Sequence, residues 1–114
     1  MKQNSRKAKG RYLQNIVRER IVKLYPSLTK KDIRTSTVGE NGADVRLLTN
    51  TAKKLFPYSV ETKNVKSYRL LYTAFRQAKR HTNMEPLLVL KGQREKPVVI
   101  LDMEHFFELL EGEE

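Results

Sequence analysis

Leu13, Ile16, Val17, Ile21 and Leu24 recur at the i, i+3, i+4 spacing that lines one face of a helix. This stripe constrains the fold most strongly, because a helix with one apolar face must bury it against a second layer. The spacing predicts a helix from Lys9 to Tyr25, stopped by Pro26. The second layer must come from the short β-branched runs that follow. Ile33 to Val38, Ala43 to Leu48 and Tyr58 to Lys63 read as three strands, the first two separated by the turn Gly39-Glu40-Asn41-Gly42. Thr49 to Pro57 reads as a connection carrying two lysines. Ser67 to His81 reads as a second helix, with Ser67 as N-cap and Leu71, Ala74, Phe75 and Ala78 as its buried face. Leu87 to Leu90 and Val98 to Leu101 read as a hairpin around a polar turn, and His105 to Leu110 as a terminal helical turn before an acidic tail. The order α-β-β-β-α-β-β-α predicts an α/β (α+β) chain with a mixed central sheet flanked by helices. The expectation is a loose, basic N-terminus over residues 1–9 and a single domain over 10–114, a length that suits one core.

Charge narrows the choice of partner. The formal net charge is +10, and residues 1–31 carry ten Lys or Arg against one Glu. Residues 101–114 carry six acidic residues and no basic one. A basic body points to a polyanion, of which nucleic acid is the commonest. There is no cysteine, which excludes disulfides, thiol catalysis and a Cys-ligated zinc site. With two histidines in the chain, a metal would have to be held by carboxylates, which favours a hard cation. No apolar run is long enough for a bilayer, and the basic start leads into no signal-peptide core, so a cytoplasmic protein without membrane contact is expected.

The chemistry concentrates in the third expected strand. Side chains alternate faces along a strand, so Glu61 and Lys63 share one face of Tyr58–Lys63. A lone Glu-x-Lys is an ordinary surface pair. Asp44 changes that reading, because it opens the preceding strand, and antiparallel pairing would bring it to Glu61. Two adjacent carboxylates repel, and a divalent cation relieves the repulsion. Such a cation also activates water and neutralises charge in phosphodiester hydrolysis, and a nearby lysine can stabilise the developing charge. The alternative is a structural salt-bridge cluster on the sheet.

Asp44 in Gly42-Ala43-Asp44-Val45, followed by Glu61-Thr62-Lys63, resembles the motif of the PD-(D/E)XK nuclease superfamily, with Ala43 in place of the motif proline. The similarity extends over roughly residues 9 to 110: a Lys9-Gly10 start into a helix, the motif pair, and a helix containing Phe75-Arg76-Gln77-Ala78. Small phage-encoded endonucleases and archaeal-type Holliday junction resolvases are the members it resembles, the former especially through Leu55 to Asn64. The resemblance implies a restriction-endonuclease-like core and Mg²⁺-dependent DNA cleavage, with Mn²⁺ able to substitute. It implies that Asp44, Glu61 and Lys63 are catalytic, with metal held by Asp44, Glu61 and the carbonyl of Thr62. A duplex or branched DNA substrate, a homodimer and a role in DNA recombination follow as further implications, and a phage protein would work in the host cytoplasm.

Supporting roles fall to Gln14, which occupies the register of a resolvase glutamate in the first helix, and to Gln77 in the second. A glutamine is no anionic ligand, so the site would rest on two carboxylates. Lys9, Arg11, Ser36, Lys53, Lys54, Lys66, Arg69 and Arg76 are candidate DNA contacts, with Lys7, Arg18, Lys79 and Arg80 among further cations available to phosphates. Tyr68 and Tyr72 can stack on bases or pack on the sheet, with packing the expected role, and His81 and His105 are expected to stand apart from catalysis. A non-catalytic basic nucleic-acid-binding protein is the alternative reading, and RNA cleavage would use the same chemistry.

Overall fold

Helix α1 spans Lys2–Leu24 in a computed structural model that describes residues 2–37, 39–80 and 82–112, with side chains from Arg11 onward. Val38, His81 and the side chains of Lys7 and Lys9, all named above, lie outside the described residues. The helix begins well before Lys9 because Lys2 to Lys9 is rich in good helix formers and holds no glycine or proline. The stripe behaves as its spacing predicts: Ile21 is fully buried, and Leu13, Ile16, Val17 and Leu24 are half-buried.

The chain divides into two compact units, Met1–Asn64 and Val65–Glu114. In the first, α1 packs against strands β1 (Ile33–Thr35) and β2 (Val45–Leu47). The strands are antiparallel, with Ile33 opposite Leu47, Arg34 opposite Arg46 and Thr35 opposite Val45. Ile33 and Val45 therefore share a face, and both are buried with Ile21. Leu28, Ala52 and Phe56 complete the unit's buried apolar set.

A short helix, α2 (Asn50–Leu55), occupies the segment expected to be a plain connection. Thr49 caps it, its hydroxyl accepting from the Ala52 N–H at 3.2 Å. The same hydroxyl donates to Asp32 Oδ1 at 2.7 Å, and Asp32 Oδ2 accepts from the Thr29 N–H at 2.9 Å. Asp32 thus joins the turn after α1 to the start of α2. These bonds, led by that from the Thr29 backbone, hold its carboxyl below its ordinary pKa.

The turn between β1 and β2 carries its own clamp. Arg34 and Arg46 lie directly opposite each other in the ladder, an arrangement that destabilises when the like charges are uncompensated. Glu40 reaches back to both, at 2.7 Å from Arg34 Nη2 and 3.3 Å from Arg46 Nη1, and also accepts from the Thr37 N–H at 2.8 Å. The Arg34 hydrogen bond, then that from Thr37, hold the Glu40 carboxyl far below its ordinary value. Arg46 also donates to the Asn41 carbonyl. Gly42 sits at φ +108°, where a Cβ would stand 2.9 Å from the Arg46 guanidinium, so a glycine is suited there on both counts.

The third expected strand contributes a single antiparallel bridge, Val45 with Val60, and the rest of Tyr58–Lys63 is irregular. The second unit holds α3 (Arg69–Lys79), the antiparallel hairpin β3 (Leu88–Leu90) and β4 (Val98–Ile100), and α4 (Met103–Glu111). Helix α3 packs against β3. Ser67 accepts from the Arg69 N–H at 3.2 Å just ahead of α3, and Asp102 caps α4 by accepting from the His105 N–H at 3.1 Å. Phe107 is buried and meets Phe106 edge-on. Val89 and Val99, opposite each other in the hairpin, are 62% and 57% exposed.

The fold is therefore α+β, with four helices and two small antiparallel sheets among the described residues. The order is α-β-β-α-α-β-β-α, and the strand pairs form separate two-stranded sheets where one mixed sheet was expected. No helix among the described residues is long and apolar enough to cross a membrane.

Replacing Thr49 with Ala should cost about 1 kcal/mol through the lost cap, lowering the melting temperature by roughly 4 °C in a thermal melt. Glu40→Gln should lower the melting temperature at neutral pH. Because the Glu40 pKa is depressed on folding, its contribution is present above its ordinary pKa of 4.5 and is lost as pH falls through the folded value. The gap between wild type and variant should accordingly narrow as melts are taken below that pH.

Candidate active site

Asp44 stands where the clamped turn enters β2, and it is fastened on three sides. Its carbonyl accepts from the Ser36 N–H at 2.9 Å, across the hairpin. Its own N–H donates to the Val60 carbonyl at 2.8 Å. Its carboxylate Oδ2 accepts from the Thr62 N–H at 2.7 Å and from the Thr62 hydroxyl at 3.2 Å. The side chain therefore takes over a pairing role that a third strand would give to backbone carbonyls. A carboxylate accepting from an N–H makes a short, charge-assisted bond, stronger than a neutral one.

The Val45–Val60 bridge sets the register of the site. One residue out from that bridge, Asp44 lies on one segment and Glu61 on the other. Glu61 pairs with Lys63 at 3.2 Å, and both side chains are largely exposed, so this pair alone adds little stability. Asp44 and Thr62 are half-buried and Ser36 lies beside them through its backbone bond. Asp44, Glu61, Thr62, Lys63 and Ser36 thus lie within one unit on three adjacent segments.

The other expected residues are more scattered. Gln14 is half-buried on α1. Gln77 is exposed on α3 in the second unit, its carbonyl accepting from the Arg80 N–H at 3.2 Å. Arg11 is exposed on α1, Lys53 and Lys54 on α2, and Lys66, Arg69 and Arg76 in the second unit. Tyr68 and Tyr72, expected to pack on the sheet, are 44% and 59% exposed. His105 lies 3.8 Å from Glu108 on α4.

Among the described residues no three His, Cys, Asp or Glu side chains cluster in a way that would hold a metal. The donor set at the bridge is two carboxylates with the Thr62 carbonyl nearby in sequence, all hard oxygens. Such a set suits a cation that keeps several of its waters, as Mg²⁺ does. One Asp44 oxygen is engaged by Thr62, and the other has no hydrogen-bond partner among the described residues.

Sequence reasoning missed a cleft of about 540 Å³ beside this site. Ala43, Val45 and Leu47 form one wall, Phe56 and Tyr58 another, and Lys53 stands at its rim. The signal was present in the aromatic pair Phe56 and Tyr58, whose rings meet edge-on at 4.9 Å, but it depends on α2, which had read as a loop.

No protein-family model, curated protein or solved structure matches this chain.

If Asp44 holds the segment at Thr62, then Asp44→Ala should cost roughly 1–3 kcal/mol, the range for a hydrogen bond to a charged group. Hydrogen exchange read by NMR should show the Thr62 amide opening faster in the variant, with amides in the second unit unchanged.

Proposed function

We propose that this chain is a metal-dependent DNA endonuclease of the PD-(D/E)XK type, its α+β fold a reduced form of the restriction-endonuclease-like core. The observation that carries the reading is the Val45–Val60 bridge, one residue out from which stand Asp44 and Glu61, with Lys63 two residues on and paired to Glu61. Asp44 and Glu61 hold Mg²⁺ or Mn²⁺, with the Thr62 carbonyl as a third oxygen. The bound cation supplies charge neutralisation at the phosphate and lowers the pKa of water. The Lys63 ammonium orients the attacking water and stabilises the charge that builds on the phosphate oxygens. Gln14 and Gln77 are assigned supporting roles by the resemblance alone.

The substrate is DNA, duplex or branched, drawn in by the positive field of the chain. Lys53 and Lys54 stand in the same unit as the motif and are exposed, as phosphate contacts must be. A homodimer, which allows two strands to be cut, is supported by the exposed valine pair of the β3–β4 hairpin, since isolated apolar patches of this kind mark contact surfaces. Relatedness to Holliday junction resolvases and action in DNA recombination belong to the same proposal.

One observation favours the alternative, a non-catalytic nucleic-acid-binding protein. Asp44 is bonded to Thr62 and Glu61 to Lys63, so both carboxylates have structural work without a metal. The two readings part on electrostatics. Carboxylates in a basic face repel phosphate, and a nuclease alone gains from keeping them.

Labelled duplex, flap and four-way-junction DNA should be cut in Mg²⁺ or Mn²⁺ and left intact in EDTA. Lys63→Ala should lower the rate by roughly 10²–10³, the usual loss when a group stabilising developing charge is removed. Asp44→Asn and Glu61→Gln should abolish cutting while keeping or tightening DNA binding in a gel-shift assay. Binding without cutting on every substrate would leave the binding-protein reading.

A further inference from the structure

Helix α3 and its flank contain no acidic residue from Asn64 to Met84, yet they carry Lys66, Arg69, Arg76, Lys79 and Arg80. The side chains of Arg69, Arg76, Lys79 and Arg80 make no ion pair or hydrogen bond to any described residue. On a helix of 3.6 residues per turn, Arg69, Arg76 and Arg80 fall on one face, with Tyr72 between the first two. All four are exposed. A row of like charges costs stability in the free protein, and Tyr72 leaves 59% of its surface in water. Both costs are relieved by a ligand that is anionic and presents flat apolar faces.

Next to this row lies a cleft of about 410 Å³, lined by Phe75, Arg76, Lys79, Arg80 and Pro86. Phe75 is half-buried and Pro86 buried, so the cleft has an apolar floor under three cations. Its volume falls in the range of small-ligand sites and is large enough for one nucleobase. Bases inside a duplex are stacked on each other and offer only their edges, whereas an unpaired strand offers faces to aromatic rings.

We propose that the α3 surface is a binding site for single-stranded nucleic acid, with Arg69, Arg76, Lys79 and Arg80 on successive phosphates and unpaired bases stacked on Tyr72 and seated in the Phe75 cleft. The proposal rests on the nucleic-acid reading given above and narrows it, because a substrate engaging this surface must contain an unpaired stretch. The negative end of the α3 dipole lies beside Arg76, Lys79 and Arg80 and favours their charge. The cations supply affinity that falls with salt, and the aromatic residues supply the preference for unpaired bases.

The test is fluorescence anisotropy on the full chain in EDTA, where no cutting interferes. The probes are a labelled thymidine oligomer of about 15 nucleotides, near the upper site size of single-strand binders, an abasic oligomer of the same length, and a duplex. The thymidine oligomer should bind roughly 5- to 150-fold more tightly than the abasic one, the range for one stacked base. Tyr72→Leu and Phe75→Leu should shrink that ratio while leaving abasic binding unchanged. Arg76→Gln combined with Arg80→Gln should weaken both oligomers alike and reduce the salt slope by about 1.4, as two lost phosphate contacts on a single strand require. Equal binding of thymidine and abasic oligomers would overturn the proposal, a comparison that needs no variant to fold. So would tighter binding of the duplex, or no binding of any probe. The cleavage assay reports separately. A chain that cuts duplex DNA but does not tell thymidine from abasic strands loses this site and keeps the nuclease reading, while one that prefers the thymidine strand and never cuts loses the nuclease reading alone.

Discussion

The hydrogen bond from the Thr62 N–H to the Asp44 carboxylate ties segment 58–63 to the start of β2. Segment 58–63 has only one β-bridge to β2, so backbone pairing alone gives it little purchase. The Asp44 side chain supplies what the missing ladder does not, and it does so from a residue whose own backbone is bonded on both sides, to Ser36 and to Val60. This bond, with the Val45–Val60 bridge, sets where Glu61 and Lys63 fall.

That bond in turn depends on how the turn between β1 and β2 is closed. Two arginines facing each other across a three-residue ladder would push it open, and Glu40 converts the repulsion into a clamp. The turn needs Gly42 at positive φ to fit against Arg46. Beneath it, Ile33 and Val45 are buried with Ile21 of α1, so the ladder has an apolar support on one face and an ionic one at its turn end. Asp32 closes the opposite end by linking Thr29 to the capping Thr49. A small sheet of two short strands is marginal by itself, and these polar ties together with the helix make it definite.

Charge is distributed with the same division of labour. In the first unit, the acids Asp32, Glu40 and Asp44 all accept hydrogen bonds from their neighbours, which fixes loops. In the second, α3 carries its cations without compensating acids, so their field is directed outward. The first arrangement uses charge for structure, and the second leaves it exposed.

The sequence by itself determined α1, α3, α4 and the two strand pairs. The stripe from Leu13 to Leu24 predicted α1, and its burial at Ile21 follows from the period of the helix. The hairpin at Leu88–Leu90 and Val98–Ile100 was legible from two apolar runs around a polar turn. The antiparallel approach of segment 58–63 to β2 was legible too, and it takes the form of the Val45–Val60 bridge. What only the tertiary structure decided is where regular structure stops. Thr49 becomes a helix cap because Asp32, 17 residues earlier, holds its hydroxyl, and no local pattern shows a bond of that span. Tyr58–Lys63 alternates as a strand should, yet it gains only one bridge, because a strand exists through its partner's backbone and not through its own side chains. Ala78 likewise fits the packing face by spacing, and its exposure is set by which neighbours reach it in space.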